Sequence, residues 1–235
     1  GNFAFDNTIE GFQKAVERGI EAIEFDVWLT KDKIPIVVHG GLKGEIEHTC
    51  SKYNINEDTL INTITLDELK HIILPNGEQI PTLEEVLDEF TGKYLFNCEI
   101  KERDPEFWQI LVDMLVNKEI FEGFKVTSFE LKQLDRIQKL AEENDMKIQI
   151  GYGYEFINKM KSDEYTNKGD SVIFEYRWMT PELVTNIQKT NKKAAIYFYP
   201  VSDETEEAYE KAVELGVDII VSDRPLELRD YLNNL

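Results

Sequence analysis

The sequence predicts an α/β protein folded as a (β/α)8 TIM barrel, and three observations predict it. Short β-type runs alternate with helical patterns along nearly the whole chain, and strands that alternate with helices form parallel sheets covered by those helices. Seven such units fit within 235 residues, close to the usual length of one barrel. No G-x-G-x-x-G or G-x-x-x-x-G-K-[ST] follows any strand, so an open doubly wound sheet, the alternative architecture, has no phosphate-binding loop to support it. The chain starts without Met at Gly1. A first strand is expected upstream of it, because seven strands would leave a barrel with two open edges.

The elements follow in order. Residues 6–18 place Ile9, Phe12 and Val16 on one helical face, and Gly19 stops the helix. A strand is expected over 22–29, and a turn through Lys31, Asp32 and Lys33 returns the chain as a hairpin partner over 34–40. Residues 41–80 read as an irregular, polar insertion with one short helical pattern, LDELKHI, expected to overhang the site. A helix at 82–90 leads to strand 94–101, helix 105–118, strand 124–129, helix 130–143 and strand 147–153. After a less regular segment come strand 171–176, helix 181–190, strand 194–199, helix 203–215, strand 217–223 and a last helix. One domain, 1–235, with 41–80 inserted in it, accounts for the pattern.

Composition narrows the function. The chain is 42% apolar and has no apolar run of 18 residues, so no transmembrane segment is expected, and its start shows no signal peptide. Its 46 acidic and 26 basic residues give a formal charge of -20, which disfavours nucleic acid and anionic membrane surfaces as partners. An anionic substrate must therefore meet a local positive feature, a metal ion or a few placed basic groups. Cys98 lies inside a strand, so Cys98 and Cys50 are read as two reduced thiols, which favours a reducing compartment.

The stretch IEFDVWLTKDKIPIVVHG, 23–40, carries the chemistry. In a strand, side chains alternate, so Glu24 and Asp26 share one face while Ile23, Phe25 and Val27 share the other. In NCEIK, Asn97, Glu99 and Lys101 likewise lie opposite Phe96, Cys98 and Ile100. Barrel enzymes place catalytic groups at the carboxyl ends of strands; Ser128, Ser222 and Asp223 also stand at such ends. Glu24, Asp26 and Glu99 converging there would suit an oxygen-seeking divalent cation. The competing reading is structural: Glu24 or Glu99 pairs with Lys101. His39 ends a β-run beside Gly40 and Gly41, which permit close backbone approach. His48 and His71 have weaker claims, and no G-x-S-x-G elbow accompanies Ser128, which argues against an acyl-transfer triad.

DNTIEGFQKAVERGIEAIEFDVWLTKDKIPIVVHG, then IPTLEEVLDEF, NCEIK, VTSF and GVDIIVSDRP, in that order and spacing, resemble the glycerophosphodiester phosphodiesterase family across nearly the whole chain. The resemblance implies a TIM barrel, a divalent metal (Ca²⁺ or Mg²⁺), and hydrolysis of small-molecule glycerophosphodiesters to glycerol 3-phosphate and an alcohol. It implies that Glu24, Asp26 and Glu99 are metal ligands, that His39 is the second of two catalytic histidines, and that Lys101 is the basic group near the phosphate. It also implies attack by the substrate's own glycerol hydroxyl, followed by opening of a cyclic phosphate by water. The family's His-Arg-Gly is expected just upstream of Gly1. Asp6 stands where the family has Glu, and Gly40 stands where it usually has an orienting Asp. Ile196-Tyr197-Phe198-Tyr199 replaces a Trp-Thr pair of the family. Two alternatives accompany the hydrolase: a catalytically silent barrel serving as a binding or assembly module with a protein partner, and a lysophospholipase D-like activity at the same site.

Overall fold

A computed structural model describes residues 2, 4–46, 58–154 and 168–235, with the side chains of 131–133 left aside. His48, Cys50 and the middle of the 41–80 segment lie outside the described residues, as does most of the segment after the strand at 147–153. Contacts divide the chain into two units, Phe3–Val126 with Lys132–Ile148, and Gly1–Asn2 with Thr127–Leu131 and Gln149–Leu235.

In the unit that starts at Phe3, α1 (Ile9–Glu17) begins where the Thr8 side chain accepts the Gly11 amide and ends before Gly19, at φ +73. Its buried residues are Phe12 and Ala15, whereas Ile9 and Val16 of the expected stripe are only half-buried. The aromatic ring of Phe12 anchors the helix. It packs on Phe25 at 6.0 Å and on Phe90 at 5.8 Å between ring centroids.

Phe25 belongs to β1 (Ala22–Leu29), which pairs antiparallel with β2 (Pro35–Val37), Trp28 opposite Ile36 and Val27 opposite Val37. On its other side β1 runs parallel to β3 (Leu95–Ile100), with Glu24 opposite Asn97 and Asp26 opposite Glu99. One face of this pair is apolar and dry: Phe25 and Cys98 are fully buried, and Phe96 packs on Phe25 and on Phe124. The other face carries the polar side chains of the site. Burial of large apolar side chains, roughly 1.5–3 kcal/mol each, therefore fixes which way the acids must point.

Two helices between β2 and β3, α2 (Leu66–Lys70) and α3 (Leu83–Phe90), each start in a capping box, from Thr65 to Glu68 and from Thr82 to Glu85. Such caps contribute about 1 kcal/mol each. The 41–80 segment departs from its expected polar character. Ile46, Ile61, Leu69, Ile72 and Ile80 pack with Trp28, Ile36 and Val38 into a buried apolar cluster. These residues follow no helix or strand period, which is why the pattern does not announce a core. Then come α4 (Phe107–Asn117), β4 (Phe124–Ser128) and α5 (Leu131–Glu143).

The other unit repeats the strand-helix theme. Strands β5 (Gln149–Tyr154), β6 (Ser171–Glu175), β7 (Lys193–Tyr197) and β8 (Ile219–Ile220) pair in parallel in that order. Among the described residues its helices are α6 (Pro181–Gln188), α7 (Glu206–Glu214) and α8 (Pro225–Asn233). Thr180 and Thr205 cap α6 and α7, and Pro181 and Pro225 open α6 and α8, where a missing amide costs nothing. β8 is shorter than the expected 217–223 because the Ser222 hydroxyl and the Asp223 and Arg224 amides turn to the Glu204 carboxylate. Among the described residues, no helix is long and apolar enough to cross a membrane.

Candidate active site

The β1–β3 register assembles the polar face. Asp26 lies directly opposite Glu99, and Glu24 sits two residues earlier on the same face. Each offers a carboxylate oxygen, and these oxygens all lie within 4.8 Å of one another. Asp26 is buried; Glu24 and Glu99 are half-buried. The next residue on that face, Lys101, places Nζ 2.9 Å from Asp26 Oδ1 and 3.8 Å from Glu99 Oε1. The expected lysine pairing thus exists, but its nearest partner is Asp26, since the parallel register brings Lys101 past Glu99 toward the end of β1. Burial opposes the charge on Lys101, yet the pull of Asp26 and Glu99, with Glu24 beyond, outweighs it and holds the ammonium above the ordinary lysine range.

The donor set suits a hard divalent cation. Two oxygens that ligate one ion at about 2.0–2.6 Å can be at most ~5 Å apart, and the three carboxylates meet that limit. Formally, three carboxylates and one ammonium leave two negative charges, the charge that one divalent ion cancels. On the opposite face the Cys98 thiol is free and buried; burial, and then the nearby Glu24, Asp26 and Glu99, push its pKa well up, so it stays a neutral packing group.

His39 follows directly on this arrangement. The Val38 amide donates to the Asp26 carbonyl at 3.1 Å, so the histidine leaves the hairpin one residue beyond a main-chain tie to a predicted ligand. Its side chain is exposed and borders a cavity of about 260 Å³ lined also by Asp6, Asn7, Val37 and Leu74. Its carbonyl accepts the indole N–H of Trp28 at 3.0 Å.

Other polar residues at strand ends have structural partners. Ser128 accepts the Glu130 amide at 3.1 Å; Ser222 is bound to Glu204, as is the Asp223 amide. His71 closes α2, with Nδ1 2.7 Å from the Asp67 carbonyl. Two residues escaped the sequence reading. Glu102, just past β3, accepts the amides of Leu29, Arg103 and Asp104 and so ties the ends of β1 and β3 together. Trp28 holds the His39 carbonyl; its only prior signal is a large ring two residues after Asp26, with Gly40 and Gly44 downstream.

Comparison with solved structures establishes the class first: the fold is the (β/α)8 barrel. The protein superimposes on a putative glycerophosphodiester phosphodiesterase from Galdieria sulphuraria with a TM-score of 0.85 at 23% identity, covering 99% of this chain and 93% of that one. A phosphodiesterase of Oleispira antarctica, solved in complex with the product sn-glycerol-3-phosphate, gives a TM-score of 0.83 at 21% identity over 99% and 93% of the two chains. A glycerophosphodiester phosphodiesterase of Caldanaerobacter subterraneus subsp. tengcongensis is 28% identical over 94% of this chain and 89% of its own length. A sequence profile of the Glycerophosphoryl diester phosphodiesterase family matches residues 1–227, and the chain belongs to that family and is an enzyme of the phosphodiesterase class.

Proposed function

We propose that the protein hydrolyses glycerophosphodiesters to glycerol 3-phosphate and an alcohol, with a divalent cation, Ca²⁺ or Mg²⁺, held by Glu24, Asp26 and Glu99. The observation that carries this reading is the convergence of those three carboxylates within 4.8 Å on one sheet face. When bound, the cation supplies neutralising charge for the phosphodiester oxygens. The chain's own groups do the rest. Lys101, kept charged by Asp26 and Glu99, offers the phosphate a positive contact in a protein of net charge -20. His39, exposed beside the cavity, holds and returns a proton at an imidazole nitrogen as the ester oxygen leaves. Residues 1–235 form one catalytic domain, with 41–80 an elaboration of it that lines the cavity through Leu74 and Ile80.

The test is release of glycerol 3-phosphate from glycerophosphocholine. Chelation should abolish release, and Ca²⁺ or Mg²⁺ should restore it. His39→Ala should lower the rate by at least about 100-fold, the usual worth of a general acid or base. Release that ignores chelation would remove the cation from the reaction, and an unimpaired variant would remove His39. No release with any cation would favour the catalytically silent barrel.

A further inference from the structure

We propose that Trp28 is a positioning residue for His39, acting through the main chain that carries the imidazole. The inference rests on the reading of His39 as the proton-transferring group and concerns how that group is aimed.

The main chain at His39 is tied to β1 on both sides. The Val38 amide donates to the Asp26 carbonyl at 3.1 Å, and the His39 carbonyl accepts from Trp28 Nε1 at 3.0 Å. The indole is a firm anchor. It is 7% exposed and packs in the apolar cluster with Ile36, Val38, Ile46 and Ile61, so its N–H has little freedom to leave its acceptor. The chain beyond His39 then wraps over the ring. Gly40 takes φ +64 and Gly44 φ +84, and a Cβ at these positions would lie 2.6 Å from Trp28 Nε1 and 2.9 Å from Trp28 Cζ3. Only glycine meets both the left-handed backbone and the close approach. Gly41 and Gly44 close the loop, with the Gly41 amide on the Glu45 carbonyl at 2.7 Å and the Gly44 amide on the Gly41 carbonyl at 2.9 Å.

His39 itself is exposed. An exposed side chain free to choose among rotamers is aimed only as well as its Cα–Cβ bond is held, and a displacement of about 1 Å at a reacting group can cost up to ~100-fold in rate. The Trp28 N–H and the glycines that wrap its ring therefore hold the main chain from which the imidazole projects.

Trp28→Phe keeps a ring in the cluster and removes the donor. It should lower kcat for glycerophosphocholine about 10-fold, with KM within about two-fold and the pH profile of kcat unchanged in shape. In the His39→Ala background the same substitution should change kcat by less than about two-fold, because what it aims is gone. An equal loss in both backgrounds, or no loss in the wild type, overturns the proposal. A fully active His39→Ala would instead overturn the role of His39 and leave the Trp28 bond a structural one. Should Trp28→Phe fail to fold, ¹⁵N-indole exchange in the unmodified protein decides. The Trp28 Nε1 proton should exchange at least ~100-fold more slowly than free indole, and exchange at the free rate refutes the bond.

Discussion

Two sets of carboxylates in this protein have opposite surroundings. Glu204 is fully buried, and donors converge on it: the hydroxyls of Tyr209 and Ser222 and the amides of Asp223 and Arg224. Glu102 is similar, with three backbone amides. On β1 and β3 the arrangement is reversed. There the oxygens of Glu24, Asp26 and Glu99 converge on one another, and Lys101 holds one edge. A carboxylate ringed by donors is satisfied by the fold alone, whereas facing carboxylates repel one another, a repulsion that an added cation would offset. Burial of an acid therefore says little about function; the sign of what surrounds it says much.

Substitutions can break this contrast. Asp26→Asn should lower turnover on the order of 1000-fold, the several kcal/mol of charge stabilisation a bound cation provides. The cation-free variant loses the buried partner of Lys101 but also a like charge from the cluster, so its melting temperature should fall by less than that of Glu204→Ala. Calorimetric melting alongside the rate assay checks both. Glu204→Ala should do the opposite. It strands the hydroxyls of Tyr209 and Ser222 and the Asp223 amide, so denaturant titration should show a loss of about 3 kcal/mol in stability, with kcat at low temperature within a few-fold of wild type. If Asp26→Asn behaved like Glu204→Ala, the acidic cluster would be a structural network and nothing more.

The same contrast shows what could be read ahead of the structure. Period-two placement of Glu24 with Asp26, and of Asn97, Glu99 and Lys101, is a local property of each strand, and the strands fall where their apolar neighbours require. The β-α alternation is legible for the same reason; β3 (Leu95–Ile100) and α3 (Leu83–Phe90) lie within a residue or two of expectation. What failed to show was non-local. The partner of Lys101 depends on the parallel register of strands more than 70 residues apart, and that register favours Asp26. The Trp28–His39 bond depends on the register of a hairpin. The donors around Glu204 come from an adjoining helix and from the chain after β8. The apolar cluster of the 41–80 segment gathers isoleucines with no common period. In each case neither partner is unusual alone; only the fold makes the pair.

Calorimetric titration of Ca²⁺ or Mg²⁺ into chelator-stripped protein tests the cation site without reference to turnover. The account predicts one ion per chain in the wild type and no measurable binding after Glu24→Gln, Asp26→Asn and Glu99→Gln are combined. Binding that survives the triple substitution, or none in the wild type, would contradict it.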